Sequence, residues 1–333
     1  MKKLPLFIFT LSILSGLTFV FFLFLFEIFL PKDSLSLEEK VFVVEKGESL
    51  FQVAESLENE GLIKNRFFFI FYLVLKGDHK KIKAGKFLLS PSMSIPEISK
   101  ILVLGKTLKI KLTFPEGFTQ NQIAQILLEK GVTKEDITKF KIKDFQNEFF
   151  FLKDAPGENS LEGFLFPDTY FFEPEMEAKK IIVLFLKNFE KKTLPLLKEA
   201  MAKNQRIYDV LILASLLEKE VKTLEEKKLV SGILQKRLKN GIPLQVDATI
   251  GYITGKKTTK FSLEDLQIDS PYNTYKYLGL PPGPICNPGL ESILAVLYPQ
   301  ESDYWYYLST PDGQTHFSKT LMEHNIKKAK YLQ

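Results

Sequence analysis

The stretch YDVLILASLLEKEVK, residues 208–222, decides how the second half of this chain folds. Val210, Leu211, Ile212, Leu213, Leu216, Leu217 and Val221 cover nearly every azimuth of a helical wheel. A helix that is apolar all round is buried, so other elements must surround it. After Asp209 no charge enters until the end, where Lys219 and Lys222 accompany two carboxyls, Glu218 and Glu220. Glu218 shares a face with Leu211, Ala214 and Ser215, and Glu220 shares one with Leu213 and Leu216, so periodicity does not choose between them. A carboxyl in an apolar wall is disfavoured as an ion and becomes a proton donor near neutral pH. The plainer alternative is a helix end meeting water, since the charge run KEVKTLEEKK follows.

Working outward, segments near 176–192, 194–203 and 224–240 also read as helices. The tail DYWYYLSTPDGQTHFS reads as a β-hairpin around Pro311, Asp312 and Gly313, and KTLMEHNIKKAKYL as a closing helix. Strands and helices together put the chain in the α+β class.

The 333 residues suffice for two modest domains and an anchor. The net charge of +5 comes almost wholly from lysine, with three arginines, Arg66, Arg206 and Arg237. Readers of nucleic acid rely on arginine for bidentate contacts, so nucleic acid is not an expected partner. The single cysteine, Cys286, allows no internal disulfide. His79, His316 and His324 lack zinc-ligand spacing, so no metal and no cofactor are expected.

Near the N-terminus, Leu4 to Phe26 gives 23 residues without a charge. That length spans a hydrocarbon core of about 30 Å as a helix. The apolar run continues to Leu30 with no small-residue cleavage site, which favours an uncleaved anchor over a signal peptide. The expectation is a cytoplasmic stub at 1–3 and a transmembrane helix at 4–30. Lys2 and Lys3 orient it, and the rest of the chain lies outside the membrane.

An internal repeat follows at an offset of 70 residues: KGESLFQVAESLENEG (46–61) against EGFTQNQIAQILLEKG (116–131). Each copy reads as a strand, a glycine turn, a Ser or Thr N-cap and an amphipathic helix ended by glycine. Between them, NRFFFIFYLVLKG is helix-like, and KIKAGKFLL reads as a strand before a helix started at Pro96. KDAPGENS is a candidate linker.

Three further stretches are candidate sites. LEGFLFPDTYFF (161–172) packs aromatics around Glu162, Pro167 and Asp168. IPLQVDATIGY (242–252), if extended, turns Gln245, Asp247 and Thr249 the same way. SPYNTYKYLGLPPGPICNPGLESI (270–293) is dense in Pro, Gly, Tyr and Asn, with Asn287 expected as an N-cap. Rings stack on sugar faces while amides bond hydroxyl and acetamido groups, so these stretches suit a sugar cleft. Ordinary core packing is the alternative for the aromatics.

Taken in order, LEGFLFPDTY, LASLLEKEV, IPLQVDATIGY and SPYNTYKYLGLPPGPICNPG resemble the endolytic murein transglycosylase family, the YceG-like proteins. VEKGESLFQVAESL is similar to a LysM module. The resemblance implies a LysM-like module at 40–106, a second half-copy and connector at 107–150, and a mixed α+β catalytic domain at 151–333. It implies a single-pass enzyme of the inner, cytoplasmic membrane that cuts nascent peptidoglycan strands, with cell-wall synthases as partners. It places the catalytic acid in ASLLEKE at Glu218. Asp168, Gln245, Asp247, Asn273 and Tyr275 are the expected substrate contacts, and Glu162, Ser215 and Glu220 the supporting residues. The alternative is a non-catalytic, membrane-tethered scaffold that binds peptidoglycan.

Overall fold

A computed structural model describes residues 16, 18, 22, 24–105, 107–256, 261–310 and 313–331. The chain divides into two compact units, Met1–Ile110 and Lys111–Gln333.

In the first unit the elements run β1 (Lys40–Val44), α1 (Leu50–Asn59), α2 (Arg66–Leu75), β2 (Gly85–Leu89) and α3 (Ile95–Leu104). β1 and β2 pair antiparallel with Phe42 opposite Phe87. Alternation turns Phe42, Val44, Phe87 and Leu89 inward, against Val53, Leu57, Phe69, Leu73, Ile98 and Leu102 of the helices. Residues 24–29 are helical, and Ile28 joins this core. The expected span at 4–30 falls largely outside the described residues, among which no helix is long and apolar enough to cross a membrane.

Both repeat copies fold as the sequence reading expects, and for local reasons. Ser49 and Thr119 cap α1 and α4 (Gln120–Glu129), each in a reciprocal capping box with the glutamine three residues on. Gly47 and Gly117 take φ of 92° and 79°, a region that L-side chains avoid.

In the second unit β3 (Ile110–Thr113) pairs with β4 (Thr169–Phe172). Between them the chain makes three 3-10 turns, at Ile137–Lys139, Ile142–Asp144 and Phe150–Leu152. The helices are α5 (Ala178–Ala202), α6 (Ile207–Glu220), α7 (Leu224–Lys239), α8 (Asp247–Thr254), α9 (Leu263–Leu266) and α10 (Leu290–Leu297). The hairpin β5 (Tyr306–Ser309) and β6 (Thr315–Ser318) and helix α11 (Leu321–Tyr331) close the chain. Pro311 and Asp312 of the expected turn lie outside the described residues.

Helix α6 is the axis of this unit. Every residue from Val210 to Leu217 is buried, with α5, α7, α8 and α10 packed around it. Three expectations are corrected. The two helices expected on either side of Thr193 are one, with Pro195 inside it, and the Thr193 hydroxyl bonds back to the Phe189 carbonyl at 2.7 Å. IPLQVDATIGY is not extended throughout: Asp247 starts α8, and Thr249 is buried with its hydroxyl on the Val246 carbonyl. Asn287 does not cap α10, whose N-cap is Gly289.

Candidate active site

A step of two residues along a helix turns the side chain through about 200°. Glu218 and Glu220 therefore leave the end of α6 toward opposite surroundings.

Glu218 meets partners rather than hydrocarbon. Lys227 Nζ lies 3.3 and 3.4 Å from its two oxygens, and the Gly289 N–H (2.9 Å) and the Ser292 hydroxyl (2.6 Å) donate to Oε2. Its side chain is 9% exposed and that of Lys227 3%. The Glu116 carboxyl packs against Gly289, and burial followed by the Glu218 charge pushes its pKa up. The Lys227 ammonium and two hydrogen-bond donors converge on this one carboxyl. Glu218 thus ties α6 to α7 and α10. Where the sequence leads one to expect apolar neighbours for this carboxyl, the structure places Lys227, Gly289 and Ser292.

Glu220 is different. It keeps part of its surface open to solvent, yet protein atoms crowd its carboxyl. Burial pushes its pKa up to about 7, helped by the Asp247 charge and opposed by the Ala248 N–H and Tyr307. The Ala248 N–H, in the first turn of α8, reaches Glu220 Oε1 at 3.3 Å. The Tyr307 hydroxyl is buried beside it, without a well-aligned hydrogen bond among the described residues. Burial first, and then the Glu220 charge, holds that phenol well above its ordinary pKa.

Around Glu220 the structure gathers Asp247, Tyr275, Gln245 and Arg237. The Tyr275 hydroxyl donates to Asp247, which is exposed. Gln245 adopts φ of 54°, costly for a non-glycine residue and characteristic of functional sites. Its N–H bonds the Thr274 carbonyl at 3.0 Å, and the next N–H, of Val246, bonds the Thr274 hydroxyl at 2.9 Å. Arg237 is buried; its guanidinium donates to Gln245 Oε1 at 2.7 Å and to the Pro243 carbonyl at 3.0 Å. These bonds join the 243–247 segment to the Tyr/Pro loop. Within that loop, Pro271, Thr274, Tyr277, Leu278 and Pro282 line an open depression of about 280 Å³.

The other expected site residues lie elsewhere or do other work. Asn273 is fully buried; its amide bonds the Leu266 and Ile268 carbonyls at 3.0 and 2.9 Å and its Oδ1 accepts from the Tyr275 N–H, so it shapes the loop and offers no group to a sugar. Asp168 joins Lys192 (2.9 Å) and Asn188 (3.1 Å), which hold its pKa down. Neither partner belongs to the Glu220 group. Ser215 is buried and accepts the Ile285 N–H at 3.0 Å, pinning the loop to α6. Glu162 is 4% exposed, and its carboxyl receives the Gln120 N–H and the Asn287 amide. Burial pushes its pKa up to about 8 against these donors, but solvent does not reach it. Asn287 Oδ1 accepts the N–H groups of Gly163 and Leu165, so Glu162 and Asn287 staple three segments together. Sequence reading missed Arg237, Lys227 and Tyr307. The rarity of arginine among so many lysines was the one available signal.

Fold and site together define an α+β protein with a partly open carboxyl of raised pKa beside the Asp247 carboxyl and an aromatic loop. The YceG-like family model matches residues 42–330. An endolytic murein transglycosylase of Bacillus subtilis (strain 168) is 34% identical over 87% of this chain and 84% of that protein. The Streptococcus pneumoniae serotype 2 protein of the same name is 30% identical over 97% of this chain, which spans 64% of that relative's length. A crystal structure of a YceG-like protein from Listeria monocytogenes, 33% identical, aligns with a TM-score of 0.58 over 88% of this chain and 100% of that one. The chain belongs to the YceG-like family of endolytic murein transglycosylases.

Proposed function

We propose that this chain is a lytic transglycosylase that cuts peptidoglycan glycan strands internally. The bond is the β-1,4 link from N-acetylmuramic acid to N-acetylglucosamine, and we take Glu220 as the acid in place of Glu218, the position to which the family resemblance points. The observation that carries the assignment is the Glu220 carboxyl, raised to about 7 and partly open, beside Asp247 and the Tyr275 loop. Relatives bearing the name of this activity support the reaction class.

The proton balance needs only one carboxyl. Protonated Glu220 gives its proton to the leaving glycosidic oxygen as the C1–O bond breaks. The resulting carboxylate takes the proton of the muramoyl 6-hydroxyl as that oxygen bonds to C1, leaving a 1,6-anhydro end. Glycosidases that add water use a second carboxylate for nucleophile or base. Here the nucleophile is tethered to the reacting carbon, so proximity replaces that group. Asp247 supplies negative charge where positive charge develops at C1, which stabilises the transition state. The Tyr/Pro loop offers ring faces for the sugars.

Residues 4–30 serve in this reading as a single span of the inner, cytoplasmic membrane, with residues 1–3 inside and the enzyme outside. The uncharged run Leu4–Phe26 supports it. Residues 40–106 form the LysM-like module, 107–150 the second half-copy and connector, and 151–333 the catalytic domain. The order β1–α1–α2–β2 with paired outer strands supports the LysM-like assignment. Cell-wall synthases, which supply nascent strands, are the implied protein partners.

Mass spectrometry of glycan ends after incubation with uncrosslinked strands tests the reaction. Anhydromuramoyl ends are expected. Reducing ends would mean hydrolysis, and intact strands would leave a binding role.

A further inference from the structure

Helix α2 presents an apolar face that its own core does not use. Phe69 and Leu73 are buried, whereas Phe67 (64% exposed), Phe71 (46%), Val74 (54%) and Leu75 (73%) face outward. Their spacing of i, i+4, i+7 and i+8 makes one continuous helical stripe. Scattered exposed apolar residues are ordinary, but a regular stripe marks an interaction surface.

Three observations identify what covers it. The end of the uncharged N-terminal run packs against this helix, where Phe24 meets Phe68 and Phe71 at ring centroid distances of 5.1 and 4.8 Å. Phe26 and Phe29, on the same segment, are 57% and 56% exposed. The end of α2 is followed by the exposed lysines Lys76, Lys80, Lys81 and Lys83, with Asp78 the only acidic residue among them. Apolar residues backed by lysines suit the boundary of an anionic phospholipid bilayer, where acyl chains take the rings and headgroups take the ammonium groups.

We infer that α2 is an interfacial helix that lies in the outer face of the bilayer beside the chain's own anchor, fixing the first unit against the membrane. This rests on the single-span reading and goes beyond it: an anchor alone permits free rotation above the surface, whereas a docked α2 sets one orientation.

The test uses full-length protein carrying Cys286→Ala, reconstituted in phosphatidylglycerol/phosphatidylethanolamine vesicles. A nitroxide is placed in turn at positions 67, 71, 74 and 75, and at the exposed Lys100 of α3. At the four α2 positions, collisions with oxygen should exceed those with a water-soluble nickel chelate severalfold, with the reverse at position 100. Protein that floats with the vesicles while position 71 behaves like position 100 overturns docking and leaves the anchor intact. A label at 71 shielded from both reagents indicates a protein partner, such as a second copy, and overturns the lipid assignment. Failure to float overturns the span and the docking together.

Discussion

At the residue scale, the two glutamates of ASLLEKE illustrate why an acid cannot be chosen by pattern. Both face apolar neighbours along α6, and what separates them arrives from distant sequence: Lys227, Gly289 and Ser292 at Glu218, Asp247 and Tyr307 at Glu220. The motif was legible and so was the need for one raised carboxyl; the partners that decide which one were not. Asp247 and Tyr275, from two unusual stretches, are brought into hydrogen-bond contact by the fold. Asn273 is buried with its amide on two loop carbonyls, a placement that composition does not reveal because buried amides in rigid loops look like sugar contacts in sequence. If Glu220 is the acid, Glu220→Gln abolishes cleavage and leaves the fold intact. Activity that needs its proton declines as pH rises through about 7. The stability sign follows from the same shift. A carboxyl raised above its unfolded value of 4.5 binds more protons when folded, so its contribution is full below 4.5 and is lost as pH rises toward 7. That loss amounts to about 3 kcal/mol at most. Relative to Glu220→Gln, the wild type should therefore lose stability between these two values, as read from urea midpoints across pH.

At the element scale, the repeat was legible because every signal in it is local: a glycine at positive φ, a capping box, an apolar stripe. Helix α6 was legible as a core element because nothing polar interrupts Val210–Leu217 except Ser215, whose hydroxyl is absorbed by its own helix at the Ile212 carbonyl (2.7 Å). The start of α8 was not legible. Its chain direction is set by Thr274, 28 residues from Val246, which bonds both backbone N–H groups ahead of it. The join of α6, α7 and α10 through Glu218 was likewise out of reach, since it depends on three helix ends meeting. It makes a prediction that separates structure from chemistry. Glu218→Gln leaves Lys227 buried without its counter-charge, a change that costs about 3–5 kcal/mol. Melting should fall by roughly 10 °C. Adding Lys227→Met removes the stranded charge and should recover much of that loss, a coupling that calorimetry of the four proteins measures. If Glu218→Gln instead melts like wild type and is inactive, the acid belongs at Glu218.

At the scale of the whole molecule, Glu220 and the residues gathered near it, Asp247, Tyr275, Arg237 and Tyr307, lie in the unit Lys111–Gln333. So does the aromatic core behind it, where Phe151, Phe164, Phe185 and Phe189 are fully buried. On the proposed reading the first unit contributes location: it keeps the enzyme where strands are made. A tether raises effective concentration to the millimolar range, and losing it costs reactions with partners on the same surface on the order of 10²-fold or more. A chain beginning at Thr107, which keeps β3 whole, should therefore cleave detached glycan strands at close to the full-length rate. Against strands still linked to lipid in vesicles it should fall behind by that factor. Counting anhydro ends released from the two substrates gives the comparison. Equal losses on both would mean that the first unit completes the catalytic site, and no loss on either would remove the case for an anchoring role.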